Sequence, residues 1–157
     1  MRVLSYVLTL CLLCLVGCSS GFDEEKLQTI GPERTLVRLA GSFLTSIAKG
    51  EYEEIHSRVV WLEYFDNQPG LSTKADVKRV LAKIRTRWSP QKHPLLGLTL
   101  LDVKADETSG KVVLMQPRLP DLGNIVIRYR WIGSGWMVAD DNILGSDGVV
   151  AELLGES

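Results

Sequence analysis

Thiols are almost absent from this chain. Its 157 residues include three cysteines, Cys11, Cys14 and Cys18, all in the first 18 positions. The rest of the chain therefore has no internal disulfide, no thiolate zinc site, no iron–sulfur cluster and no cysteine nucleophile. Histidine is nearly as scarce. His56 and His93 are the only two, with no third ligand at metal-binding spacing, so no metal or other cofactor is expected. One-sided charge is lacking too: 18 basic against 19 acidic residues leave −1, with no global pull toward nucleic acid. No glycine-rich phosphate loop, Gly-x-Ser-x-Gly elbow or His-Glu-x-x-His motif occurs.

What is present begins with an address. Arg2 is followed by an apolar run from Val3 to Val16. A bilayer core needs about 20 helical residues, so this run is too short to span and fits the apolar region of a signal peptide. It ends in Leu15-Val16-Gly17-Cys18, then Ser19-Ser20. This segment resembles the lipobox of bacterial lipoprotein precursors: apolar and small residues, then a cysteine whose thiol carries a diacylglycerol. The resemblance implies that residues 1–17 are a signal peptide, that Cys18 is lipidated, and that Cys11 and Cys14 leave with the signal. Ser19 stands where an inner-membrane-retained lipoprotein often has Asp. In a host with two membranes this implies the outer one, with the protein facing the periplasm. Residues 18–31 are read as the lipidated cysteine and a polar tether bearing Asp23, Glu24 and Glu25. From Ser19 to Gly31 it reaches at most about 40 Å.

Residues 32–145 have the length of one domain, with residues 146–157 read as a C-terminal tail. Pro32 suits a helix start. Leu36, Leu39, Ala40, Phe43, Leu44 and Ile47 form one helical stripe that ends at Lys49-Gly50. A second helix starts at Glu51 and fades between Trp61 and Phe65; residues 58–65 read equally well as helix or strand. Asp66-Asn67-Gln68-Pro69-Gly70 is a turn. Thr73 with Asp76 forms a capping box for a third helix carrying Val77, Val80, Leu81, Ile84 and Trp88 on one face. Strands follow at about 96–104, 111–115, 124–132 and 135–141. Helices first and strands last predict an α+β fold with about four antiparallel strands; a ferredoxin-like arrangement is the alternative.

The last hairpin has a preferred register. A two-residue Gly133-Ser134 turn puts Ile127, Tyr129, Trp131, Trp136 and Val138 on one face, and Arg128, Arg130, Met137 and Asp141 on the other. Continued alternation then places Asp140 on the apolar face.

The long first helix, the Lys49-Gly50-Glu51-Tyr52 step and the closing Trp131 to Asp141 hairpin together resemble the nuclear transport factor 2-like superfamily. The resemblance implies a cystatin-like cone, in which a curved sheet wraps the first helix and a pocket can open between them. It also implies a strand between the second and third helices, which residues 58–65 would have to supply. Members include isomerases, dehydratases and carriers, so the fold does not choose a function.

Three groups of residues are candidates for chemistry or binding. Asp140 on an apolar face would have a raised pKa and could abstract a proton, with Tyr52, Tyr64 or Tyr129 donating to the developing oxyanion. His56, one turn after Tyr52, is a candidate base, and otherwise an ordinary helical histidine. His93, in a loop, has no activating neighbour in sequence. The third is a basic helix: Lys74, Lys78, Arg79, Lys83, Arg85, Arg87 and Lys92 face only Asp76 between residues 72 and 93, a local +6 against −8 in the rest of the mature chain. Asp140-Asp141-Asn142 with Gly145 and Asp147 fails as a calcium loop, since positions five and twelve are Leu144 and Ala151.

The expected function is a non-enzymatic envelope lipoprotein, anchored through Cys18, whose domain binds a protein partner or an apolar ligand and no nucleic acid. The alternatives are an isomerase or dehydratase using a pocket acid, and an adaptor docking anionic surfaces through helix 73–88.

Overall fold

The computed structural model describes residues 31–155. The signal segment, the lipobox with Cys18 and nearly all of the tether lie outside the described residues. Among the described residues no helix is long and apolar enough to cross a membrane.

Among the described residues five α-helices pack on a four-stranded antiparallel sheet, the α+β architecture expected from the order of elements. Helix α1 (Pro32–Lys49) starts with Pro at its first turn and stops at Gly50. Gly50 adopts φ 67°, and its N–H and that of Glu51 donate to Ile47 and Ser46 carbonyls. A side chain at Gly50 would also collide with the Arg85 stem. Helix α2 (Tyr52–His56) is short, and α3 (Trp61–Asn67) follows it. Helix α4 (Lys74–Arg87) carries the expected capping box: Asp76 N–H donates to Thr73 Oγ1 at 3.3 Å, and the Asp76 carboxylate accepts from Thr73 N–H at 2.9 Å.

Strands β1 (Thr99–Ala105), β2 (Ser109–Met115), β3 (Asn124–Trp131) and β4 (Trp136–Asp141) form a meander in the order 1-2-3-4. Four of the helices precede every strand, which excludes the alternating order of a ferredoxin-like fold. One sheet face is apolar: Val112, Leu114, Ile125 and Ile127 are fully buried with Leu36, Phe43 and Ile47 of α1 in a single core. At roughly 1.5–3 kcal/mol for each large apolar side chain buried, this is the main contact holding helix to sheet. Gly110 lies directly beneath Leu36, where a Cβ would collide with the leucine.

Residues 58–65 are neither wholly helix nor strand. Val59 makes an isolated parallel bridge to Val138, with Val60 N–H donating to the Val138 carbonyl at 2.9 Å and Val138 N–H to Arg58 at 2.7 Å. From Trp61 the chain turns helical. The strand implied by the family resemblance is thus reduced to a bridge on the outer edge of β4. The segment read as a C-terminal tail also has structure. Helix α5 (Val149–Leu154) buries Val149 and Val150 in the core, so the domain continues past residue 145.

Candidate functional site

The last hairpin tests the register argument in two halves. Near the tip it has the expected form. Trp131 pairs with Trp136, Arg130 with Met137 and Tyr129 with Val138, while Ile132 N–H donates to the Gly135 carbonyl at 3.1 Å. Gly133 and Ser134 form the two-residue turn.

Beyond Val138 the expectation is overturned. Arg128 pairs with Asp140 and Ile127 with Asp141, leaving Ala139 as a bulged residue. A single extra residue shifts the two-residue alternation of the strand. Asp140 therefore lies on the groove side of the sheet, where its half-buried carboxylate meets Arg128 at 2.5 Å, and Asp141 faces the core. The assignment of Asp140 to the apolar face, and of Asp141 to the polar one, is corrected by this bulge.

Asp141 is buried and fully engaged. Tyr64 of α3 donates its hydroxyl to Oδ2 at 2.8 Å, and the N–H groups of Ile143 and Leu144 donate to Oδ1 at 2.7 and 3.3 Å. Gln68 Nε2 donates to the Asp141 carbonyl at 2.5 Å and to Asp140 at 3.1 Å. Burial pushes the Asp141 carboxyl up to about 6, against the opposing pull of the Tyr64 hydrogen bond. The Tyr64 phenol is also raised, by burial first and then by the Asp141 charge. Beside this cluster, the Tyr129 hydroxyl and Arg58 Nε are buried without a hydrogen-bond partner. A carboxyl near 6 has the affinity of a general base, but both oxygens of this one are occupied in holding α3 and the 142–144 turn to the sheet.

The other candidates stand apart from it. His56 lies between the Tyr52 and Trp61 rings, at 5.6 and 5.5 Å, with Lys74 Nζ 2.8 Å from its Nε2. His93 is buried; its Nδ1 accepts from Leu95 N–H at 3.0 Å, and its Nε2 has no partner. Burial lowers its imidazole to about 4, a state hidden from a sequence that shows only a loop between prolines. Asp140 and His56 do not face each other across a cavity. Among the described residues no three His, Cys, Asp or Glu side chains are grouped to hold a metal.

The basic helix is partly consumed internally. Lys78 stacks over Tyr52 at 4.3 Å, Lys74 over Trp61 at 5.6 Å, and Arg79 pairs with Asp76 at 3.0 Å. Arg85 lies on Gly50, Arg87 is exposed, and Lys83 borders a shallow cleft between α4 and α5.

A more open feature than that cleft lies elsewhere. A groove of about 870 Å³ crosses the solvent face of the sheet and is walled by Glu63 and Asn67 of α3. On its floor Lys104, Lys111 and Arg128 stand directly opposite one another on β1, β2 and β3, with Arg130 beside them. Asp140 lines this groove and Asp141 does not. Arg130 pairs with Glu63 at 2.8 Å and Lys104 with Asp102 at 3.7 Å, while Lys111 has no ion pair among the described residues. Strand alternation separates Arg128 and Arg130 from the apolar face, but the row itself is not legible in the sequence, because the cross-strand partners of Lys104 and Lys111 depend on two further registers.

Comparison with protein-family models, with curated proteins and with solved structures finds no match for the chain.

Proposed function

We propose that the chain is a membrane-anchored envelope lipoprotein, held by lipid on Cys18, whose domain binds an acidic segment of a protein partner and catalyses no reaction. The observation that carries the binding part is the row Lys104–Lys111–Arg128 on the groove floor. Like charges directly opposite on a sheet are destabilising by up to about 1 kcal/mol per pair. Arg128 and Lys104 are partly compensated by Asp140 and Asp102, so the gain for a carboxylate-bearing segment laid along the groove centres on Lys111 between them.

Other readings draw less support. The core face of the sheet is packed by Leu36, Phe43 and Ile47 of α1, which favours a site on the solvent face over an apolar ligand between helix and sheet. The basic helix also spends Lys74, Lys78 and Arg79 on its own neighbours, and the cleft beside it, about 170 Å³, is much smaller than the sheet groove. The elevated pKa of Asp141 favours acid–base chemistry as a second reading, but its oxygens are committed to Tyr64 and two backbone amides. The anchor rests on the N-terminal motif, and the superfamily likeness on the long first helix, the Lys49-Gly50-Glu51-Tyr52 step and the closing Trp131 to Asp141 hairpin.

A photo-crosslinker placed at Lys111 in the native envelope tests this reading. The expected result is a discrete protein adduct that disappears in a Lys104→Glu, Arg128→Glu variant. Adducts no different from those of a probe on the exposed face of α4 overturn it.

A further inference from the structure

Large apolar side chains are exposed at five positions among the described residues, and two of them, Trp131 and Ile132, are neighbours at the tip of the β3–β4 hairpin. Trp131 is 41% and Ile132 47% exposed, and half-buried Trp136 meets Trp131 edge-on at 5.5 Å. Nothing among the described residues covers them. This tip shares one end of the sheet with the β1–β2 turn, since Trp131 N–H donates to the Thr108 carbonyl at 2.9 Å. The same end holds the start of α1, because Leu36 of its early turns lies on Gly110, just after that turn. The N-terminal segment that leads back to Cys18 joins the domain at Gly31, one residue before α1. An aromatic tip and the point of tethering are thus on one end of the molecule.

We propose that the Trp131–Ile132 tip inserts into the headgroup boundary of the lipid bilayer and seats the domain end-on, with the sheet groove opening sideways. Trp belongs at this boundary, where an apolar body with a polar N–H fits a surface that is wet on one side only. The lipid is favoured over a protein occupant by the tether. Twelve residues separate Cys18 from Gly31, so an anchored domain stays within about 40 Å of the bilayer and meets it at high effective concentration. Charge plays a small part. Arg34 and Arg130 at this end are outnumbered by Glu33, Asp106, Glu107 and the Arg130 partner Glu63, so anionic lipid adds no net attraction. Insertion is therefore expected in zwitterionic and anionic bilayers alike.

The inference refines the anchoring part of the proposed function, and its test separates the two. The protein purified from its own envelope is reconstituted into phosphatidylcholine vesicles, and into phosphatidylcholine–phosphatidylglycerol vesicles, carrying lipids brominated at the upper acyl chain. Tryptophan emission is expected to be quenched in both. Trp131→Phe should remove most of the quenching, and Ile132→Ser should lower it by about threefold or more. Both positions are solvent-exposed, and unchanged thermal unfolding checks that each variant is folded. No quenching, quenching unaffected by Trp131→Phe, or quenching confined to phosphatidylglycerol vesicles overturns the proposal. Loss of exposure through self-association, read by light scattering without lipid, does so too. Mass spectrometry of the N-terminus decides the anchor independently. Quenching without lipid on Cys18 keeps the inserted tip and removes the anchor; lipid on Cys18 without quenching does the reverse.

Discussion

The two halves of the last hairpin obey the same rule with opposite outcomes. From Trp131 to Val138 strict alternation puts every side chain where the pattern says. From Ala139 onward one inserted residue hands the core position from Asp140 to Asp141. Adjacent acids thus take unlike roles. Asp140 is a surface partner of Arg128, and Asp141 is a buried clasp between β4, α3 and the following turn. The bulge lies just past Val138, whose outer edge is bridged by Arg58 to Val60, so a segment some 80 residues earlier in the chain shares this corner.

The largest expected effect comes from breaking that difference directly. Asp141→Ala strands the Tyr64 hydroxyl and two buried amides and should cost about 3–5 kcal/mol in chemical unfolding. If alternation had held to the strand end, Asp140→Ala would be the severe change.

Next in size is a pH effect. Burial holds the folded Asp141 carboxyl at about 6, against 3.8 for an ordinary aspartate. The folded state therefore holds this proton more tightly. The stabilisation is fully present below about pH 4 and is lost as pH rises through 6, on the order of 2–3 kcal/mol. His93 acts in the opposite sense. Its imidazole is lowered from 6.5 to about 4, so its contribution is full above pH 6.5 and lost as pH falls toward 4. The two slopes oppose each other between pH 4 and 6. Unfolding measured across that window should be flatter for the intact protein than for either variant: Asp141→Asn should leave stability rising with pH, and His93→Gln should leave it falling.

Tyr64→Phe removes one hydrogen bond to a carboxylate and should cost about 1.5–3 kcal/mol, with the Asp141 pKa moving further up as read by carbonyl NMR. The smallest effect belongs to the solvent face. Asp140→Ala breaks a partly exposed ion pair and should cost no more than about 1 kcal/mol, with a salt dependence that the Asp141 variants lack.

Much of the fold was legible locally. The stripe of Leu36, Ala40, Phe43 and Ile47, the Gly50 stop, the Thr73–Asp76 box and the Gly133-Ser134 turn are each set by residues a few positions apart. Residues 58–65 were not legible, because their split between a β-bridge and a helix depends on the free edge of β4. The burial of Val149 and Val150 was missed for a similar reason: a six-residue helix has too little periodicity to stand out. The site was less legible still. Tyr64, Gln68 and Asp141 meet across more than 70 positions, and Lys104, Lys111 and Arg128 meet only after two strand pairings are fixed.

By itself the sequence determined the order of helices and strands, the caps and turns between them, and the absence of thiol chemistry from the body, because these depend on short-range periodicity and composition. Only the tertiary structure decided which of two adjacent acids is buried, where the cations line up, and that an aromatic tip shares an end of the domain with the start of α1. Each of these turns on strand register and edge pairing, and a single bulged residue changes them without leaving any mark in the local pattern.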